Sequence, residues 1–222
     1  GGVGGISTST GIGSSGSLGT ATIVNNGVLT FSLNTGITVN TISGTGSMRV
    51  GYTATAGAES QNVSLTGVNT YSGDTRINMG TLTLPAGASI PNTPNIFITP
   101  LTAASFIAAT LDVTGAGGLT LSSGQRIVGG ANNAGLNNTA QINGNVTAGT
   151  GSAIIPGGTN IVNTLTINGN LNLTGGATVA LDVNNSTADL LTVFDLNPSG
   201  VTTLLITPPP SGLFAGDYTL IT

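Results

Sequence analysis

The chain is a succession of short alternating segments, each ended by residues that turn the backbone. Segments such as GVLTFSL, GTLTL, GLTLS, GNLNL and ATVALDV alternate apolar and polar residues, which is typical of short β-strands. The dipeptides Asn26-Gly27, Asn143-Gly144 and Asn168-Gly169 predict tight turns, because both residues tolerate a positive φ. A coil built from such strands cannot bury its apolar face alone, so the strands must stack on neighbouring coils.

The apolar residues that open successive segments are nearly evenly spaced. They follow one another at steps of 17 to 19 residues: Leu29, Met48, Leu65, Leu82, Leu101 and Leu119. A nearly constant step of this size is typical of a solenoid in which each coil supplies two or three short strands. We therefore predict an all-β fold, a parallel β-solenoid (β-helix) with a C-terminal β cap, whose strands recur about every 17–21 residues between Ala21 and Gly124.

Composition divides the chain into three parts. Residues 1–20 are rich in Gly and Ser and form an N-terminal arm, residues 21–160 form the solenoid coils, and residues 161–222 form a C-terminal β-rich cap or junction region. The strands lengthen after Thr164, which distinguishes this last part. The best helical candidate is the segment from Leu101 to Val113, whose Thr and Ile content leaves it ambiguous between helix and strand.

Alternation also predicts which side chains face inward. The expected interior residues are Leu29, Leu65, Val68, Ile77, Leu82, Leu84, Leu119 and Leu121. Thr75, Thr81 and Thr83 are expected to face solvent, where a branched Cβ still favours extended backbone. Gly67, Gly73 and Gly80 are expected at corners. A valine at Gly73 would cost about 1–3 kcal/mol if the φ there is positive.

Charge excludes several classes of partner. Only 5% of the residues are charged, the net charge is −4, and no lysine or cysteine is present. Nucleic acid is not expected as a partner because it requires clustered cations. No apolar run is long enough to span a membrane as a helix, and no disulfide can form. We expect no cofactor.

The stretch from Leu65 to Leu84, LTGVNTYSGDTRINMGTLTL, resembles the autotransporter-associated β-strand repeat. The repeat pattern is matched by Leu65, Thr66, Gly67, Asn69, Thr70, Tyr71, Gly73, Thr75, Ile77, Gly80, Thr81 and Leu82. The run from Ile23 to Met48 resembles the segment that precedes this repeat, and the closing GDYTLIT resembles the last passenger portion of the same secreted proteins. The resemblance implies an extracellular or cell-surface β-solenoid with an adhesive or structural role, and it assigns no catalytic residue.

The N-terminal arm is predicted to take part in assembly. Its large apolar residues are Val3, Ile6, Ile12 and Leu18. A glycine-rich strand approaches another backbone closely and adds to an open sheet edge, and solenoid ends are sticky unless capped. We therefore expect a non-enzymatic structural subunit of an extracellular fibre, which assembles with itself head to tail through the solenoid ends and the arm.

Three alternatives remain open from the sequence. The first is a monomeric adhesin that binds a glycan or a surface. The second is an enzyme like the polysaccharide lyases, although Asp182, Asp189, Asp195 and Asp217 lack the coil spacing and a basic partner. The third is ice binding by the pairs Thr81/Thr83 and Thr164/Thr166, which need consecutive coils. The run from Asp182 to Asp189 offers oxygen ligands for Ca²⁺, but a polar turn is the simpler interpretation, and no metal site is assigned.

Overall fold

The computed structural model describes residues 21–32, 36–51, 62–100, 108–130, 140–158, 161–184, 187–209, 212 and 217–222. Throughout these residues the fold is all-β, without a helix, and parallel sheets stack as a β-solenoid of about 6 turns. The predicted fold class is therefore confirmed. The arm residues Val3, Ile6, Ile12 and Leu18 lie outside the described residues, as does the segment 101–107 of the helical candidate. The described end of that candidate is a strand, Ala109–Asp112.

Nineteen strands are described. They are β1 (Ile23–Val24), β2 (Val28–Phe31), β3 (Ile37–Val39), β4 (Ile42–Ser43), β5 (Ser47–Val50), β6 (Asn62–Leu65), β7 (Thr75–Ile77), β8 (Gly80–Thr83), β9 (Asn95–Ile98), β10 (Ala109–Asp112), β11 (Leu119–Thr120), β12 (Arg126–Gly129), β13 (Ala140–Asn143), β14 (Val146–Ala148), β15 (Ala153–Ile155), β16 (Thr164–Leu173), β17 (Thr178–Asp182), β18 (Leu190–Pro198) and β19 (Thr203–Thr207).

Two long parallel sheets run along the solenoid. Sheet 1 has eight strands in the order β2-β5-β7-β9-β12-β15-β17-β19. Sheet 2 has nine strands, in the order β3-β6-β8-β10-β13-β16-β14-β11, with β18 on the free side of β16. The short pair β1-β4 forms a third sheet. Because every second residue of a strand points inward, the two long sheets enclose one apolar core.

The coil length differs from the prediction. Along sheet 1, Leu29 pairs with Met48, Met48 with Thr75, Thr75 with Ile96, and Ile96 is followed by Ile127. These register partners lie 19, 27, 21 and 31 residues apart, so the expected step of about 17–21 is wrong as a coil length. The corners and loops absorb the variation while the strand register is kept.

The even spacing of the apolar residues has a simple cause. Leu29 and Met48 lie in sheet 1, whereas Leu65 and Leu82 lie in sheet 2. The sequence spacing therefore mixes steps along one sheet with steps between sheets. Because both kinds of step have similar lengths, the sequence alone does not separate them.

The C-terminal region extends the same sheets. Strand β16 pairs with β13 and β14 on one side and with β18 on the other, and β17 pairs with β15 and β19. The strands lengthen as expected, to 10 residues in β16 and 9 in β18. Residues 164–207 thus supply the last coils at this end of the solenoid, and pairing continues across the predicted boundary at residues 160 and 161.

Most of the predicted interior is confirmed. Leu29, Leu65, Ile77, Leu82, Leu84, Leu119 and Leu121 are all buried. Val68 was predicted inside and is 53% exposed, so that prediction is wrong. The reason is the corner that follows β6, where the next residue, Asn69, turns its side chain into the interior instead. Thr81 and Thr83 lie on the outer side of β8, as expected.

Candidate functional site

The repeat motif folds into a corner that joins three coils by hydrogen bonds. The fully buried Asn69 accepts a hydrogen bond from the Ile42 backbone nitrogen at 2.9 Å on the preceding coil. Its amide nitrogen donates to the carbonyls of Gly67 at 3.1 Å and Ser89 at 3.3 Å. Thr66, at 3.3 Å, is a further acceptor. One side chain thereby satisfies backbone groups that the corner removes from the sheets.

Thr75 belongs to a buried chain of hydroxyl groups. Its side chain lies 2.6 Å from the Tyr71 hydroxyl and donates to Thr93 at 3.1 Å, and Thr93 donates to the Gly73 carbonyl at 2.8 Å. The expectation that Thr75 faces solvent is therefore wrong, because the Tyr71 hydroxyl needs a polar partner inside the core. Burial raises the pKa of the Tyr71 phenol above its ordinary value, so it stays neutral.

The motif glycines have different roles. Gly67 and Gly80 have positive φ values of 64° and 78°, which confirms them as corners. Gly73 lacks a positive φ, so the reason given for it is wrong, although the need for glycine is real. A Cβ at Gly73 would lie 2.5 Å from the backbone oxygen of Gly46 on the preceding coil. Two backbones approach there too closely for any side chain.

Other coils use the same device without the motif. Gln125 is buried, accepts from the Ser122 nitrogen at 2.7 Å, and donates to the carbonyls of Ile90 and Thr93 at 2.9 and 2.8 Å. Asn25 accepts from the Gly27 nitrogen at 3.1 Å. The sequence analysis missed these residues because a single buried amide leaves no pattern. The repeat motif residues Leu65, Gly67, Asn69, Tyr71, Gly73, Thr75, Ile77, Gly80 and Leu82 therefore form a structural corner.

The run from Asp182 to Asp189 closes on itself. Asp189 is 1% exposed, and its two carboxylate oxygens accept from the backbone nitrogens of Asn163 at 2.7 Å and Asp182 at 2.8 Å. Since these oxygens already face N–H donors, the arrangement is that of a polar turn and not of an open cation site. Among the described residues no group of three or more acidic, His or Cys side chains could hold a metal.

Asp189 predicts an unusual pH dependence of stability. Burial raises the pKa of its carboxyl from 3.8 to about 6, although the two backbone hydrogen bonds oppose the shift. Between pH 4 and 6 the native state therefore binds more protons than the unfolded state. The stabilising contribution of this group is present below about pH 4 and is lost as the pH rises through 6.

We expect the midpoint of urea unfolding to fall between pH 4.5 and pH 7 in the unmodified protein. The variant Asp189→Asn is expected to lose this slope, and to be less stable overall because its amide meets a backbone N–H. Asp195→Asn, which changes an exposed carboxylate, is the matched control and should keep the slope. An unchanged slope in Asp189→Asn would assign the pH dependence to other groups.

The arginines lie on sheet 1. Arg76 forms an ion pair with Asp74 at 3.7 Å, and its guanidinium lies 3.9 Å from the centre of the Phe97 ring. Asn95 donates to Asp74 at 2.8 Å. These contacts engage the Asp74 carboxylate and one face of Phe97 in packing along the outer surface of three coils. Neither group is arranged as an acid–base pair or as a free stacking surface for a sugar.

The C-terminal end of the solenoid is the most exposed apolar region described. Leu204 pairs with Val179 and Ile206 with Leu181, whose side chains are buried in the core. Leu204 and Ile206 thus occupy inward-facing positions, yet they are 51% and 42% exposed. Within the part of the chain that the structure describes, β19 pairs with β17 alone. This open end is lined further by Val201, Phe194 and Leu205, which are 84%, 85% and 52% exposed.

The sequence analysis placed a junction in this region without naming these side chains. A usable signal exists in the run TLLIT, three consecutive apolar residues between Val201 and Pro208. Beside the open end, the C-terminal residues cover part of β18, since the Leu191 nitrogen donates to Leu220 and the Val193 nitrogen to Thr222. The exposed edge is therefore concentrated on β19.

In the described residues no helix is long and apolar enough to cross a membrane. Comparison of the chain with models of protein families, with curated protein sequences and with solved structures finds no match. The resemblance of residues 65–84 to the autotransporter-associated repeat therefore stays a prediction.

Proposed function

We propose that the chain is a structural subunit of an extracellular or cell-surface fibre and assembles with itself through the open end of the solenoid. The observation that carries the proposal is the exposure of Leu204 and Ile206 at core positions of β19. A further parallel strand seated on β19 would bury both side chains and pair the outer backbone groups of the strand. Neither β19 nor β2, the strand at the other end of sheet 1, contains a charged residue that would oppose such pairing.

A second copy of this chain is the occupant that fits best. All strands of sheet 1 run parallel, so another copy stacked end to end continues the sheet in the same direction. The arm of residues 1–20 is the expected donor strand, since it carries no charge and offers Val3, Ile6, Ile12 and Leu18 as apolar side chains. A head-to-tail contact of this type does not close on itself, so it generates a filament.

The test is a lysine placed inside or outside the stack. Leu204→Lys puts a charge at a core position of the junction, and we expect it to abolish concentration-dependent assembly, because a charge buried there without a partner is costly. Leu205→Lys is the matched control, since it lies on the same strand with similar exposure but on the outer face, and it should still assemble. Light scattering and negative-stain electron microscopy measure the outcome, and circular dichroism checks the fold.

Deletion of residues 1–18 tests the donor. If the shortened chain stays folded but monomeric, the arm is the joint. Fibres of unchanged length distribution would show that the arm is dispensable. A full-length chain that remains monomeric at all concentrations would contradict the proposal and favour the alternative of a monomeric adhesin.

A further inference from the structure

The outer faces of the two long sheets differ in chemistry. On sheet 1 the outward ladder includes Phe97, Val128 and Ile155 in register, followed by Ala180 and Leu205. On sheet 2 two adjacent outward columns contain no apolar residue over six coils. Column 1 consists of Asn62, Thr81, Thr110, Gln141, Thr166 and Thr192. Column 2 consists of Thr38, Ser64, Thr83, Asp112, Asn143 and Asn168.

These columns were not visible in the sequence. Thr81 and Thr166 are 85 residues apart in the chain but stand in one column, separated by Thr110 and Gln141. Adjacent strands are about 4.8 Å apart, so the six coils extend about 24 Å along the axis, and the two columns lie about 6.6 Å apart. The two columns form a regular strip of hydroxyl and amide groups.

The charge on this strip selects its ligand. The three cations of the whole chain, Arg49, Arg76 and Arg126, all lie on sheet 1, and lysine is absent. Within the two columns the only ionisable residue is Asp112, whose carboxylate accepts from the Thr114 nitrogen and hydroxyl. An anionic polysaccharide or a nucleic acid therefore lacks a counter-charge here, and an apolar partner lacks a surface. A neutral ligand rich in hydroxyl groups is complementary.

We propose that the polar strip of sheet 2 binds an extended neutral polysaccharide lying along the solenoid axis. The strand spacing is comparable to the length of one sugar in an extended chain, so successive sugars meet successive coils. Threonine hydroxyls and Asn or Gln amides both donate and accept, which matches sugar hydroxyls. Ordered water in ice is the competing ligand. A rigid lattice fits this strip less well, because Gln141 interrupts the threonine column and the Asn168 amide donates to Asn143 at 2.8 Å within the strip.

The experiment is a sedimentation assay with the full chain and four insoluble neutral polysaccharides: cellulose, chitin, curdlan and amylose. We expect retention on at least one, with an apparent Kd that changes little between 0.1 and 1 M salt, because no charge pair contributes. The double variant Thr81→Val with Thr166→Val removes two outward hydroxyls, and it should bind about tenfold more weakly. Thr178→Val makes the same change at an outward position of sheet 1 and should bind normally.

Three outcomes would overturn the proposal. They are the absence of retention on all four polysaccharides, retention that is lost at 1 M salt, and equal binding by the double variant and the unmodified chain. Thermal melting shows whether the double variant is folded, and Gln141→Ala takes its place if it is not. Ice shaping by the chain without retention on any polysaccharide would make the strip a water-ordering surface and contradict the sugar assignment. The strip binds as a monomer, so failure of fibre assembly leaves this test unaffected.

Discussion

Gly73→Ala is expected to lower the free energy of unfolding by about 3 kcal/mol, which is a large effect for a single methyl group. The added Cβ would lie 2.5 Å from the oxygen and 2.6 Å from the carbonyl carbon of Gly46, and 2.6 Å from the Ser47 hydroxyl. Gly73 also donates its backbone N–H to Gly46 at 3.1 Å. The methyl group therefore forces two coils apart at a point where they are hydrogen-bonded.

Gly27→Ala is the matched control, because a Cβ there meets nothing within 4 Å and the φ is not positive. It should leave stability unchanged or raise it by about 0.4–1 kcal/mol, through a less flexible unfolded chain. Urea unfolding of both variants, monitored by circular dichroism, measures the difference. Equal stability of the two variants would show that the coils separate freely at Gly73.

Asn69→Ala is expected to cost about 3 kcal/mol, since it removes a fully buried side chain that bonds backbone groups on three coils. The Ile42 nitrogen would lose its acceptor inside the core, and the Gly67 carbonyl would lose a donor. A leucine at this position would fill the space but leave the same groups unsatisfied, so we expect no rescue by Asn69→Leu.

Asn92→Ala tests the same kind of residue at the surface. Asn92 is exposed and donates one hydrogen bond, to the Thr70 carbonyl at 3.2 Å, so the change should stay within about 0.5 kcal/mol. Thermal and urea unfolding of the three variants give the comparison. If Asn69→Ala is as mild as Asn92→Ala, water enters the corner and replaces the amide.

The two large effects have different visibility in the sequence. Gly73 and Asn69 were both singled out by the repeat motif, but the motif gave no reason for either. Gly73 is required because of Gly46, which lies 27 residues earlier, and Asn69 is required because of Ile42, also 27 residues earlier. Thr75 was placed on the wrong side because alternation alone cannot register that Tyr71 brings a hydroxyl into the core.

The sequence by itself determined that this protein is built from short parallel-stacked strands, because strand alternation, β-branched residues and Asn-Gly turns act within a few residues. It also determined most of the core, from Leu29 to Leu121. Only the tertiary structure decided the coil length, the sheet that each strand joins, the polar strip of sheet 2 and the open end at β19. These features depend on which residues meet across coils 19 to 31 residues long, and the path between corners varies while the strand register does not.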